Sequence, residues 1–198
     1  MGKENIQGLH RGGGGARHGP GTPSPWIMAH AGRIESRRPG GDETPARVLD
    51  LACGRGRHSR ALLALGHAVT AVDIDCAGLA DIAGHPGLEV LQADLEKSPA
   101  AWPLEGRRFA AVVITNYLWR ALFPFIAGAV APGGILLYET FAVGNEHLGR
   151  PASPDFLLRE GELSGFFAES FEVIDYFHGP LARPRPAVIQ RLCARKRA

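Results

Sequence analysis

The chain has 198 residues, a length that suits one domain. Its 22 Lys and Arg nearly balance 20 Asp and Glu, for a formal charge of +2, which is not the electrostatic footprint of a dedicated nucleic-acid binder. Cys53, Cys76 and Cys193 are odd in number and lack CxxC spacing, so no disulfide framework and no metal site are expected, and a reducing cytoplasm fits best.

Glycine and proline, 26 and 15 residues, make up about a fifth of the chain against about 12% in ordinary domains. Residues 1–25 hold 8 of the glycines and 3 of the prolines with almost no aliphatic side chains, and are expected to be a disordered arm preceding one domain over 26–198. No charged segment followed by an apolar core and a cleavage site opens the chain, so no secretory signal is expected. The most apolar stretch, Tyr117 to Tyr138, is broken by Arg120, Pro124, Gly128, Pro132, Gly133 and Gly134, so no membrane span is expected either.

Ser24-Pro25 opens a short apolar patch, Trp26 to Ile34, in the way a capped helix starts. A Pro/Gly-rich connector, Arg37 to Pro45, follows. Beyond it the pattern predicts a strand at Ala46–Leu51, a helix at Ser59–Leu65 stopping at Gly66, a strand at Ala68–Val72 and a helix at Ala77–Ala83. Strands at Leu88–Gln92 and Phe109–Ile114, a helix at Leu118–Val130 and a strand at Ile135–Phe141 complete this series. Strands without polar alternation, alternating with helices, give an α/β fold with a parallel sheet covered on both faces. A helix at Arg159–Phe167 and two strands, Phe171–Phe177 and Ala187–Ala194, close the chain; the short Gly/Pro-rich link between these strands makes them an antiparallel hairpin.

The main site signal is VLDLACGRGRHS, Val48 to Ser59, at the exit of the first strand. Glycines there let the backbone approach a ligand, and the following helix offers unpaired N–H groups. Nineteen positions past Gly54 the second strand ends in Asp73, placed to accept bonds from ribose hydroxyls. Ser59 stands where the dinucleotide fingerprint wants its third glycine, and the phosphate-loop pattern is absent. The stretch resembles motif I of the class I S-adenosylmethionine-dependent methyltransferases, with Asp50 as the acid two places before the small-residue series. The resemblance continues through Asp73, through LQADLE with Asp94, and through VVITNYLWR and APGGILLYETF.

That resemblance implies a Rossmann-like, mostly parallel seven-stranded sheet and S-adenosylmethionine as cofactor. The cofactor-binding set it implies is Asp50, Ala52, Cys53, Gly54, Gly56, Arg57, Asp73, Ile74, Ala93, Asp94, Leu95 and Asn116. Ala52 departs from the family's usual first glycine, and its methyl group is expected to narrow the turn. Cys53 is expected to lend its backbone rather than a nucleophilic thiol. Arg57 is open to two readings, as a partner for the cofactor's carboxylate or as a solvent-facing side chain.

Methyl transfer from a sulfonium is an in-line displacement, so alignment in a dry site is the main task and no catalytic dyad is required. Tyr117, Arg120 and Glu139 are the acceptor-side candidates, with Arg120 expected to pair with Glu139, itself a candidate base. Tyr117, Trp119 and Phe141 are expected to wall the sulfonium. Residues 141–163 read as a lid or substrate loop. Through FLLREGEL this loop is similar to tellurite-resistance and thiopurine-type small-molecule methyltransferases, which implies a small, soft or anionic acceptor near Asn145, Glu146 and Arg150. RNA is a less favoured partner, through the basic tail and Arg191, Arg195, Lys196 and Arg197. Protein methylation, a nucleotide-dependent oxidoreductase and a non-catalytic cofactor-binding subunit are the other readings.

Overall fold

Apolar runs with no polar alternation need cover on both faces, and in the computed structural model they form the middle of one seven-stranded sheet. The structure describes residues 21–35, 46–97, 102–182 and 185–198. Most of the predicted N-terminal arm, residues 1–20, and the connector Arg37–Pro45 lie outside them. Ser24 and Pro25, assigned to that arm by composition, belong to the folded unit: Ser24 is buried and caps helix α1 (Pro25–Ala31).

The elements that follow are β1 (Arg47–Leu51), α2 (Arg57–Ala64), β2 (Ala68–Asp73), β3 (Leu88–Gln92), β4 (Phe109–Thr115), α3 (Phe123–Ala129), β5 (Val130–Phe141), α4 (Glu162–Phe167), β6 (Phe171–Leu181) and β7 (Ala187–Lys196). The sheet order is β3-β2-β1-β4-β5-β7-β6. β1 to β5 run parallel, and β7 is antiparallel to both β5 and β6. The order reverses between β1 and β4, so the crevice in which such sheets bind ligands opens beyond the carboxyl ends of those two strands.

Alternate side chains send the sheet's apolar groups to two layers. Val48, Val113, Leu137 and Cys193 pack with Ile27 and Ala31 of α1 and Leu62 of α2. Leu51, Ile114, Leu136 and Leu192 pack on the other face with Phe123 and Ile126 of α3 and Leu163 and Phe167 of α4.

Three predicted elements change. The helix expected at Ala77–Ala83 is one 3-10 turn, Ala77–Leu79. Arg60 crosses to it, donating to the Gly78 carbonyl at 2.9 Å and pairing with Asp81. The helix expected from Leu118 begins as a 3-10 turn, Arg120–Leu122, and becomes α-helical at Phe123. Pro124 sets this boundary, because its missing N–H costs least in a first turn. β5 starts at Val130 rather than Ile135, its pairing with β4 slipping between Phe109 and Ala111 to absorb the Pro132-Gly133-Gly134 bulge.

Gly134 is the residue that bulge requires. A Cβ there would stand 2.8 Å from the Ala131 carbonyl oxygen and 2.9 Å from that of Ala110, whereas one on Gly128, in α3, meets nothing within 4 Å. Urea unfolding is therefore expected to show opposite signs: Gly134→Ala lowers stability by about 1–3 kcal/mol, and Gly128→Ala raises it by roughly 0.5–1 kcal/mol.

Candidate functional site

The chain leaves β1 through three residues with left-handed backbone, Ala52 (φ 53°), Gly54 (φ 56°) and Gly56 (φ 73°), and then enters α2. Ala52 adopts the conformation a glycine would take freely, at a cost of about 1–2 kcal/mol for an L-residue. That conformational cost comes in addition to the methyl group it brings to the turn. Cys53 N–H donates to the Val72 carbonyl at 3.0 Å. Burial holds its thiol far above the usual range, which makes it inert as a nucleophile.

Asp73, buried at the tip of β2, fixes the turn. One carboxylate oxygen accepts the Gly54 N–H at 2.7 Å, and the other accepts the Asp75 N–H at 3.1 Å. Around it the edge opens: Ala52, Gly54, Ile74 and Ala93 are half-buried and Asp94 and Asn116 are exposed, although β1, β2 and β4 are largely buried. Leu95 is buried beneath this edge. Asp94 also accepts the Glu96 N–H at 3.0 Å, a local turn. Asn116 has φ 54°, which a short polar side chain tolerates well.

Asp50 lies below the turn and accepts the Ser59 hydroxyl at 2.6 Å. Burial raises its pKa to about 6, and the Ser59 bond and nearby Arg57 only partly oppose that rise. The place of the missing third glycine is thus held by a serine that binds the first acid. Arg57 is half-buried and makes two long bonds, to the Thr22 carbonyl and the Thr115 hydroxyl, both 3.4 Å. Burial lowers its pKa, and Glu139 and Asp50 oppose that shift.

Register builds the acceptor side. Thr115 on β4 lies opposite Glu139 on β5, which lies opposite Arg191 on β7, which lies opposite Phe177 on β6. The Arg191 Nε–H donates to Glu139 at 2.7 Å, and its guanidinium sits 5.7 Å from the rings of both Trp26 and Phe177. Glu139 also accepts the Ser24 hydroxyl at 3.0 Å. The expected pairing of Arg120 with Glu139 is therefore corrected. Arg120 instead grips Glu162 with two nitrogens, one at 2.9 Å, and donates to the carbonyls of Asp155 (2.7 Å) and Leu157 (2.8 Å). The cause is β7: it inserts beside β5 and brings an arginine to Glu139 that linear spacing does not reveal.

Other expectations move as well. Tyr117 and Trp119 pack in the layer beneath α3, and Phe141 packs separately with Leu157 and Ile189, so the three do not form one wall. Burial pushes the Tyr117 phenol far up, and its hydroxyl is without a partner among the described residues. Asn145 is buried, donating to the Pro151 carbonyl at 3.0 Å and accepting the Val188 N–H at 3.2 Å, so it ties the loop to β7 rather than facing an entrance. Arg150 is exposed, and Glu146 accepts the Gly144 N–H at 2.7 Å. The C-terminal basic residues each have a contact within the fold. Arg191 is engaged as above, Arg195 donates to the Gly133 carbonyl, Lys196 lies over the Phe171 ring and Arg197 donates to the Glu169 carbonyl.

The sequence argument did not assign Ser24, His58, Thr115 and Arg191 to the candidate site. His58 and Thr115 stand inside the recognised stretches, and that position is the signal that could have found them.

Asp50 gives a pH signature. Its folded pKa lies above the ordinary 3.8, so its favourable contribution is complete below pH 4 and is lost as pH rises through about 6. Relative to Asp50→Asn, the wild-type protein is expected to lose up to about 3 kcal/mol between pH 4 and pH 7, read from paired urea unfolding curves. Parallel curves for the two proteins across that range would refute it.

Residues 48–134 match the family model described as a methyltransferase domain. Among curated proteins, none matches the sequence. TehB from Haemophilus influenzae is similar in structure at TM-score 0.62 and 22% identity, over 78% of this chain and 59% of that one, so the chain spans under two thirds of TehB. The 1,6-didemethyltoxoflavin-N1-methyltransferase of Burkholderia thailandensis, solved with 1,6-didemethyltoxoflavin and S-adenosylhomocysteine, aligns at TM-score 0.60 and 23% identity over 87% of this chain and 76% of that one. A protein from work on converting a disulfide bond into a thioacetal group in echinomycin biosynthesis aligns at TM-score 0.64 and 21% identity, over 97% of this chain and 91% of that one. These likenesses concern the fold. The residues that the methyltransferase-domain model matches, 48–134, are those that carry the glycine turn at the switch point of the seven-stranded sheet.

Proposed function

We propose that the chain, as one domain that begins with the Ser24 cap of α1, transfers a methyl group from S-adenosylmethionine to a small-molecule acceptor. The observation that carries this reading is the turn pinned by Asp73, whose partly exposed edge opens at the switch point beside the exposed Asp94 and Asn116. A Cβ on Gly54 would meet nothing within 4 Å, so the turn leaves free space for a ligand on that side. The solved neighbours that hold S-adenosylhomocysteine or S-adenosylmethionine on this fold support the same cofactor.

Asp73 keeps a lone pair on each carboxylate oxygen for ribose hydroxyls, Asp94 lies at the adenine edge with Ile74, Ala93 and Leu95, and the weakly bonded Arg57 guanidinium receives the methionine carboxylate. Bound there, the cofactor supplies a methyl group on a positively charged sulfur. The protein's task is alignment and exclusion of water. Each nearby candidate base is already engaged: Glu139 with Ser24 and Arg191, Asp50 with Ser59, and His58 with Ser24. The acceptor therefore arrives with its own lone pair free, and Asn116, Glu139 and Arg191 orient it. Arg120 and Tyr117 act from behind, Arg120 by fixing the 141–163 loop as a wall.

The 1,6-didemethyltoxoflavin bound in one of the neighbouring structures agrees with a small-molecule acceptor. No described helix is long and apolar enough to cross a membrane, and three free cysteines, two of them buried, agree with a reducing cytoplasm.

Isothermal titration with S-adenosylhomocysteine is expected to show binding, weakened about 100-fold by Asp73→Ala through loss of two charge-assisted ribose bonds. An absence of binding by the wild-type chain, or an unchanged affinity in the variant, counts against the reading.

A further inference from the structure

The segment ahead of the methyltransferase match is stitched to both banks of the crevice. Ser24 supplies two of the stitches. Its backbone N–H donates to His58 Nε2 at 3.0 Å, and its hydroxyl donates to Glu139 Oε2 at 3.0 Å while accepting the Ile27 N–H at 3.4 Å. The Thr22 carbonyl supplies a third by accepting from Arg57. Arg57 and His58 open α2, directly after the cofactor turn. Glu139 lies on the far bank, opposite Thr115, one residue before Asn116.

His58 receives the Ser24 bond on one ring nitrogen and faces Thr115 with the other. Accepting the Ser24 N–H requires a bare Nε2, which places the proton of the neutral ring on Nδ1, 3.4 Å from the Thr115 hydroxyl. The ring is buried and lies next to a cationic Arg57, both of which disfavour its charged form.

Behind Ser24 the helix is anchored independently. Ile27, Ala31 and Ile34 are buried on the sheet, the Trp26 indole N–H donates to Asp175 at 3.0 Å, and His30 Nε2 lies 3.1 Å from the same carboxylate. Releasing the tip, Gly21 to Ser24, breaks the bonds to His58, Glu139 and Arg57 and leaves the apolar anchor in place. A short tip held by a few polar bonds, hinged on a fixed helix, has the build of a gate rather than of core.

We propose that the tip Gly21–Ser24 is a strap closing the methionine end of the cofactor crevice, with Ser24 as its latch and His58 as the positioning residue that holds it. This rests on the proposed cofactor reading. The strap governs escape of bound cofactor: an intact latch slows release, and a broken one leaves the adenosine contacts of Asp73 and Asp94 untouched.

The test follows S-adenosylhomocysteine release from the full chain by stopped-flow tryptophan fluorescence, Trp26 standing two residues from the latch. Ser24→Ala and His58→Ala are expected to raise the release rate about tenfold with association within about twofold, whereas Ser24→Thr and His58→Gln, which keep the hydroxyl and the acceptor, restore slow release. A purely structural role would lower the melting temperature of the alanine variants without this split between rates. Ser24→Ala lies outside the matched domain and decides the matter if His58→Ala does not fold. Wild-type release rates in both alanine variants overturn the strap while the cofactor reading stands. A wild-type chain that takes up no S-adenosylhomocysteine overturns the cofactor reading, and the strap with it.

Discussion

One carboxylate ties the turn at the crevice to the neighbouring strand. Asp73 ends β2, and through the Gly54 N–H it holds the turn that leaves β1, so the spacing between these elements is fixed before any ligand enters. A buried carboxylate needs such donors, and a turn with successive left-handed residues needs such an acceptor. Each supplies what the other lacks. The Cys53 N–H to Val72 carbonyl bond extends the parallel ladder one step beyond β1 and sets the height at which the turn begins.

The rest of the site is arranged around that fixed point by strand register. Thr115, Glu139, Arg191 and Phe177 share a line across four strands because each pairing places its neighbour directly opposite. Their order alternates hydroxyl, carboxylate, guanidinium and ring, so the polar groups satisfy one another in a half-buried layer where isolated charges would be costly. α1 closes the line from above through Ser24 and Trp26. The loop beyond β5, gripped by Arg120 and tied by Asn145, closes it from the other side.

What the sequence made legible was local. The parallel strands and the helix-opening Ser24-Pro25 follow from periodicity and local pattern, and Asp73 at the tip of β2 from its spacing to Gly54, while Asp50 was reached through the family resemblance. The partners of Arg120 and Glu139 were not legible, because they depend on β7 inserting between β5 and β6 and on a loop returning to β4. Nothing near Arg191 in the chain distinguishes it from Arg195, yet one braces the acceptor side and the other braces the bulge at Gly133. The 3-10 turns at Ala77 and Arg120 were read as helices because three or four apolar residues look alike in both, and tertiary contacts such as Arg60 reaching Gly78 decide between them.

The placement of β7 has a consequence for assembly. β6 precedes it in the chain but bonds to no other strand, and β5 has its outer edge open until β7 arrives. During synthesis the parallel half of the sheet, with its cofactor turn, is complete in sequence while the acceptor side still lacks Arg191. Two strand edges then wait for one late strand, which reaches β6 through a local hairpin and β5 through a non-local pairing of the slower kind. The crevice thus matures in two stages, a cofactor side built from early residues and an acceptor side completed by the last strand to pair.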